Sequence, residues 1–153
     1  MNTRKLITVL SSPNPQALPL KLTVTTTGAQ TATIFSLGVI SGKTVTVDWG
    51  DGTVENFTTT ALRSHAYAGA GTWSVKVGPR NAINVLNIQD NKISGTINAA
   101  NPLPSGLTSL TLYNLSGLTY NANNNPLPSG LTSLTLYNLS GMTYNANTNP
   151  LLS

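Results

Sequence analysis

The heptapeptide VDWGDGT, residues 47–53, decides the fold of this chain. Its Asp-Gly pair predicts a tight turn, because such turns need a residue with positive φ and glycine adopts one without steric cost. Before the turn, Val45, Val47 and Trp49 alternate with other residues and would line one face of a strand. A second stretch alternates in the same way through Trp73, Val75 and Val77. Two such faces packed together make the core of a β-sandwich.

The surrounding residues, 18–77, carry the same two-residue alternation. Val, Thr and Ile, which favour strands, are frequent in runs at 20–25, 32–37, 44–49, 54–58 and 72–77. None of these runs has the 3.6-residue period of a helix. We therefore predict a β-sandwich over residues 18–79, preceded by an extended N-terminal arm over residues 1–17.

Separate motifs in this region resemble those of the polycystic-kidney-disease (PKD) domain family. After VDWGDGT come HAY at 65–67 and GTWSVKV at 71–77, which are similar to the family's H-x-Y and G-T-Y/W-x-V-x-V patterns. The resemblance covers roughly residues 18–78 and implies an immunoglobulin-like sandwich. We interpret the motif residues as structural; they are Asp48, Trp49, Gly50, Asp51, Gly52, His65, Tyr67 and Trp73.

A competing interpretation makes Asp48, Asp51 and His65 a metal or acid–base site. Short polar side chains in turns usually bond nearby backbone amides, so we favour the structural interpretation. Some PKD domains bind calcium, but Ca²⁺ needs six to eight oxygen ligands. The chain has only four acidic residues, Asp48, Asp51, Glu55 and Asp90. We therefore predict no metal and no cofactor.

From residue 81 onward the chain becomes repetitive. Residues 101–124 and 125–148 are two copies of a 24-residue repeat that differ at only two positions. A partial copy occupies residues 149–153, and a degenerate copy occupies residues 83–98. Repeats of this length stack on one another, since each unit is too small to bury its own apolar face.

The degenerate copy, INVLNIQDNKISGTIN, resembles the leucine-rich repeat pattern L-x-x-L-x-L-x-x-N-x-L-x-G-x-I. The later copies keep Leu107-x-x-Leu110-x-Leu112 and then run one residue shorter, a departure that weighs against the family's asparagine ladder. The resemblance implies a short leucine-rich-repeat-like β-solenoid over residues 80–153, with Leu110 and Leu112 in its core and Thr111 outward. The predicted fold class is thus mainly β, a PKD-type sandwich followed by this solenoid.

Composition limits the functions open to the chain. Only 8% of the 153 residues are charged, the eight basic ones are scattered, and there is no cysteine. Phosphate binding needs clustered cations, so we predict no nucleic-acid partner. The apolar run at 6–10 is shorter than the roughly 7–15 residues of a signal-peptide core, and no stretch has transmembrane length. With one histidine, no cysteine and four acids, we predict that the protein is not an enzyme.

The last third of the chain lacks the usual solubilising features of a repeat array. Residues 101–153 contain no charged residue and no recognisable C-terminal cap. An uncapped array exposes apolar side chains and an open strand edge, which favours association. We therefore expect the end of the repeats to be covered by another copy of the chain or by a different protein.

Tyr113, Tyr120, Tyr137 and Tyr144 recur with the 24-residue period. A tyrosine offers an apolar ring and a hydrogen-bonding tip, so a stack of them would suit contact with a glycan or a protein partner. The alternative is that one or both tyrosine positions only cover the coil.

Two functions fit these observations, and they belong to different classes. The first is a phage virion component, a capsid decoration or a head or tail accessory protein, assembled in the host cytoplasm through protein–protein contacts. PKD and other immunoglobulin-like domains often decorate phage particles, so this rests on fold analogy. The alternative is a bacterial surface or secreted adhesin, or a carbohydrate-binding module that takes glycans. Neither requires membrane insertion.

Overall fold

A computed structural model describes residues 14–123 and 125–143 of the chain. Most of the predicted arm and the whole partial repeat over 149–153 lie outside these residues. The end of the arm holds a short 3₁₀ helix, Pro15–Ala17, which Asn14 caps by accepting a 3.0 Å hydrogen bond from the Gln16 amide. This part of the arm is therefore a helical turn rather than an extended chain, because proline and an N-terminal cap favour a turn.

Twelve strands run through the described residues. In chain order they are β1 Leu20–Thr26, β2 Gln30–Val39, β3 Val45–Asp48, β4 Val54–Phe57, β5 Ala61–Tyr67, β6 Gly71–Gly78, β7 Ile83–Ile88, β8 Ile93–Ile97, β9 Ser109–Tyr113, β10 Leu118–Asn121, β11 Ser133–Tyr137 and β12 Gly141–Thr143. A second 3₁₀ helix, Arg80–Ala82, links β6 to β7. No helix in the described part of the chain is long and apolar enough to cross a membrane.

The strands form two mixed sheets that face each other. One sheet has seven strands in the order β12-β10-β8-β1-β6-β3-β4, and the other has five in the order β11-β9-β7-β2-β5. Their inner faces contribute to one apolar cluster that extends from Leu20 in β1 to Leu131 in the second repeat. The prediction of a mainly β, sandwich-like fold is confirmed.

Burial follows the alternation that the sequence displays. Val45, Val47 and Trp49 are fully buried, as expected for one face of β3 and its extension into the turn. Leu110 and Leu112 are also fully buried. The side chain between them, Thr111, is only half-buried on the other face of β9, as the strand period of two requires.

The strand β5 was not among the predicted runs. Its inward positions carry Arg63 and His65, which are half-buried, while the apolar Leu62 just before them is 53% exposed. The Arg63 guanidinium lies 4.0 Å from the centroid of the Phe57 ring, which lets a charged side chain cover the sandwich edge. The usual rule of apolar inside and polar outside is therefore broken at Leu62, Arg63 and His65 of β5.

Both sheets continue across the predicted boundary at residues 79–80. β7 pairs antiparallel with β2, which places Leu86 opposite Leu37. β8 pairs antiparallel with β1, which places Ile93 opposite Val24. The first coil of the repeats is thus an added strand on each sheet of the sandwich, and the apolar core passes between the two regions without a break.

The repeats stack by parallel pairing at the repeat period. β9 pairs in register with β7 and β11 with β9, so that each strand meets the residue 24 positions earlier. Threonine hydroxyls also bond the residue 24 positions earlier. Thr108 Oγ1 donates to the Asn84 carbonyl at 3.1 Å, and Thr132 Oγ1 donates to the Thr108 carbonyl at 3.0 Å.

Asparagines of the two full repeats form a further ladder, one residue earlier in the repeat than Asn91 of the degenerate copy. Asn138 Nδ2 donates to Asn114 Oδ1 at 3.0 Å. Both residues have positive φ, 51° and 56°, a conformation that asparagine tolerates better than most residues. The ladder forms because each asparagine follows directly after a paired strand and turns the chain at the same place.

Arg80 links the repeats to the sandwich through hydrogen bonds. Its guanidinium is 1% exposed, and it donates to the Pro15 carbonyl and, at 2.8 Å, to Asn101 Oδ1. The Asn101 amide in turn donates to the Lys21 and Thr96 carbonyls, each at 2.8 Å. Burial lowers the pKa of Arg80 from its usual value. One buried cation therefore joins the end of the arm, β1 and the first residue of the repeat.

Candidate functional site

The two carboxylates of the VDWGDGT motif hold its turn. Asp48 Oδ1 accepts from the Gly50 amide at 3.0 Å, and its other oxygen lies 2.9 Å from Lys76 Nζ. Asp51 Oδ1 accepts from the Thr53 amide at 3.0 Å. The bond from Lys76 lowers the pKa of Asp48, and the bond from Thr53 lowers that of Asp51. Both carboxylates are thus engaged in local structure, as the structural interpretation expects.

Gly50 in this turn has a second role beyond flexibility. Its φ is +85°, and a Cβ at this position would lie 2.7 Å from the Ser74 carbonyl oxygen. The β3–β4 turn therefore lies directly against the backbone of β6. Any other residue would force the two apart.

An aromatic row lies beneath the turn. His65 Nε2 is 2.7 Å from Asp51 Oδ2, and the imidazole stacks on Trp49 with ring centroids 5.2 Å apart. Tyr67 meets His65 edge-on at 4.7 Å and stacks on Trp73 at 5.1 Å. The Tyr67 hydroxyl donates to the Trp49 carbonyl at 2.9 Å, and burial raises its pKa. The motif residues are thus brought together, and their polar atoms bond one another.

No group of three histidine, aspartate or glutamate side chains lies close enough to hold a metal ion within residues 14–123 and 125–143. For the acid–base interpretation of the motif, the structure brings together one pair of side chains, Asp51 and His65. That pair is packed against Trp49 and Tyr67.

The four repeat tyrosines divide into different environments. Tyr113 and Tyr137 are 36% and 57% exposed, and their rings stack with centroids 4.8 Å apart at an angle of 15°. Tyr120 is 1% exposed, and its hydroxyl donates to the Asn125 carbonyl at 2.9 Å. The prediction of a glycan or partner contact is therefore wrong for Tyr120, because β10 points it into the core. Tyr144 lies outside the described residues.

The exposed tyrosines belong to an uncharged surface on the outer side of the five-stranded sheet. Parallel register aligns side chains of the same kind from strand to strand. We call this surface the ladder face; it comprises Asn87, Gln89, Ser109, Thr111, Tyr113, Ser133, Thr135 and Tyr137. All eight are partly or fully exposed, and none carries a charge.

A concavity of about 410 Å³ adjoins the ladder face where β2, β7 and β9 run side by side. Its walls are formed by Thr31, Thr33, Phe35, Gln89, Asp90, Asn91, Lys92 and Asn114. The Asp90 carboxylate accepts from the Thr33 amide at 2.8 Å and lies 2.7 Å from Lys92 Nζ. The two charges at the floor of the concavity therefore cancel.

Sequence reasoning missed this concavity. Phe35 occupies an outward position beside the buried Ile34, and Leu37 is buried as well because the register of β2 shifts between Ile34 and Leu37. Asn91 and Lys92 lie in the loop after β7. A phenylalanine at an outward position was the available signal, but a single exposed aromatic residue is common in soluble proteins.

No family model matches the chain, and comparison with curated proteins and with solved structures gives no match.

Proposed function

We propose that this protein is a non-enzymatic structural component of a phage virion, a decoration or accessory protein of the head or tail. It would act through protein–protein contacts, as a PKD-type sandwich extended by leucine-rich-repeat-like coils. The observation that carries the proposal is the ladder face, an uncharged surface on a sheet that runs from sandwich to repeats. An uncharged surface of this kind suits a lasting contact with neighbouring proteins.

The chemistry of the ladder face favours burial against another protein. Serine, threonine and amide groups cost less to remove from water than charged side chains do. Tyr113 and Tyr137 supply large, exposed rings of the kind that dominate binding energy at interfaces. Their mutual stacking fixes both rings before any partner arrives, which lowers the entropy lost on binding.

A second feature supports assembly. In the described residues β11 and β12 are the outermost strands at the repeat end of the two sheets. Leu134, Leu136 and Met142 at this end are only half-buried, although the equivalent Leu110, Leu112 and Leu118 of the preceding repeat are buried. Covering them would remove further apolar surface from water.

The test is whether the chain is part of purified particles. Phage particles produced from the genome that encodes the chain would be banded on a density gradient, and the chain measured against the major capsid protein. We expect a constant ratio across the particle band. A chain that stays in the soluble fraction or in the cell envelope would contradict the proposal, and the envelope result would favour the surface adhesin.

Matched variants locate the contact. Thr135→Arg places a charge on the ladder face in β11, where the side chain is exposed. Ser74→Arg places the same charge on the outer face of β6, in the other sheet. We expect the first variant to be lost from particles and the second to be retained. Equal incorporation of both would show that the ladder face is not the contact.

A further inference from the structure

The concavity beside the ladder face has the character of a ligand site that virion assembly does not require. Phe35 forms one wall and is 43% exposed, which leaves part of its ring open to a ligand. Thr31 and Thr33 of the same strand form the adjoining wall, and Asn91 faces them from the loop after β7. An apolar ring thus stands beside three uncharged polar side chains.

These polar groups have unused hydrogen-bonding capacity. Within the described residues, the Thr31 and Thr33 hydroxyls and the Asn91 amide make no hydrogen bond to the rest of the protein. Gln89 Nε2 donates to Asn87 Oδ1 at 2.9 Å, which leaves the Gln89 carbonyl oxygen as an acceptor. Each hydroxyl both donates and accepts, and a carboxamide supplies two donors and an acceptor.

The surroundings exclude several ligand classes. An anion finds no free cation, since Lys92 Nζ is paired with Asp90 at 2.7 Å. A peptide that adds a strand needs a sheet edge, but β2, β7 and β9 each have a paired strand on both sides. Among the eight described residues that line the concavity, an apolar ligand would meet one apolar side chain, Phe35.

We propose that this concavity binds a neutral oligosaccharide. One sugar ring lies with its apolar face against Phe35, and its hydroxyl groups bond Thr31, Thr33 and Asn91. Strands in a sheet are about 4.8 Å apart, so the tyrosine of β11 lies about 14 Å from β2 along the sheet. A sugar held in the concavity therefore does not reach the Tyr113–Tyr137 stack, which stays part of the ladder face.

The experiment uses the full chain and a panel of neutral gluco-, galacto- and manno-oligosaccharides, immobilised first and then free in solution. We expect at least one of them to bind, with an affinity that titration calorimetry or ligand-observed NMR can measure. Phe35→Ala should weaken that binding about tenfold, which corresponds to the loss of one aromatic contact. Thr33→Val, which keeps the shape and removes the hydroxyl, should weaken it about threefold or more.

The matched control is Leu62→Ala on β5, an exposed apolar residue of the same sheet that does not line the concavity. It should leave binding unchanged. Phe35 is exposed, so Phe35→Ala should also keep the wild-type melting temperature. Failure of every saccharide to bind, or binding that Phe35→Ala and Thr33→Val leave unaltered, would overturn the proposal. A protein ligand that is sensitive to Phe35→Ala, with no saccharide bound, would overturn it too.

The oligosaccharide site and the virion contact fail independently. Phe35→Ala should leave the ratio of chain to capsid protein on purified particles unchanged, because Phe35 is not on the ladder face. Thr135→Arg should reduce that ratio and leave binding of a single sugar in the concavity unchanged.

Discussion

The sandwich strands, β1 to β6, and the repeat strands, β7 to β12, share two sheets but are specified in opposite ways. In the sandwich every contact is different, as in the Trp49–His65–Tyr67 row and the bulge in β2. In the repeats the same parallel register recurs at a 24-residue step, and between β9 and β11 every aligned pair is identical. Unique contacts define one register, whereas repeated contacts are satisfied equally well by a shift of one whole repeat.

The repeats therefore depend on the sandwich for their position. Asn101, the first residue of the first full repeat, makes side-chain bonds to Lys21, Thr96 and Arg80. The residue 24 positions later, Asn125, has a buried Nδ2 with no partner within the described residues. Asparagine at this repeat position thus links the two regions at the boundary, as Asn101. One repeat later, as Asn125, it leaves a buried amide without a hydrogen-bond partner in the described residues.

Replacing Trp49 by alanine is expected to have the largest effect. The side chain is fully buried, and its indole nitrogen donates to Glu55 Oε2 at 2.7 Å. Its loss should lower the free energy of unfolding by about 3–5 kcal/mol, measured by urea denaturation. Because the core is continuous, the repeats should unfold in the same transition. A separate unfolding transition of the repeats would contradict the shared core. The control is Val54→Ala on the same hairpin; this side chain is exposed, so its loss should change the free energy of unfolding by less than about 0.5 kcal/mol.

The variants Asn101→Ala and Asn125→Ala test how much the Asn101 hydrogen bonds at the boundary contribute to stability. Asn101 takes part in four side-chain hydrogen bonds of 2.8–2.9 Å, so its replacement should cost about 2–3 kcal/mol. Asn125→Ala removes an amide that is already unsatisfied and should cost less than about 1 kcal/mol. Urea midpoints of both variants are the measurement. Equal losses would mean that the boundary is no more specific than the rest of the array.

Tyr137→Ala should have a smaller effect, because the ring is 57% exposed. Stacking of aromatic rings contributes about 0.5–1.5 kcal/mol, and solvent exposure places this pair at the lower end. Thermal unfolding followed by circular dichroism should show a slight decrease in melting temperature. Tyr137→Phe keeps the ring and should match the wild type; a loss equal to that of the alanine variant would attribute stability to the hydroxyl instead.

The acid dependence of stability should be the smallest effect, and it should lie in the sandwich. The Thr53 amide holds the pKa of Asp51 below its ordinary value of 3.8, so the folded state prefers the ionised carboxyl. Stability from this group is present above pH 3.8 and is lost as the pH falls through the lower folded-state pKa. The carboxyl is partly exposed to solvent, which keeps the contribution small.

Asp51→Asn removes this titration. Urea midpoints at neutral pH and below pH 3.8 should differ less for the variant than for the wild type. An identical acid dependence of the two proteins would show that Asp51 does not contribute. Residues 93–153 cannot supply it, because they contain no acidic or basic side chain.

Local pattern was sufficient for much of the fold. The alternation at 44–49 and 72–77 and the Asp-Gly turn led to β3, β6 and the hairpin between β3 and β4, because neighbouring residues alone determine which side of a strand each faces. The 24-residue period led to stacked strands with Leu110 and Leu112 inward. The motif carboxylates were interpreted as turn caps for the same reason, since their partners are two residues away.

The candidate sites were harder to predict from the sequence. The Tyr113 and Tyr120 positions look equivalent in sequence, and a turn between β9 and β10 decides that one faces solvent and the other the core. Phe35 is outward because β2 must pair with β5 on one side and β7 on the other, and its bulge reconciles the two registers. The concavity forms from residues 31–35 and 89–92, which are brought together only by that pairing.

By itself, then, the sequence determined the strands, the turn chemistry and the repeat period, because each depends on residues close together along the chain. The tertiary structure alone decided that both sheets run through the whole protein and that Arg80 and Asn101 fasten its two regions. It also decided which repeat tyrosines reach solvent. These features come from pairing between residues far apart in sequence, where the partner cannot be identified from either segment alone.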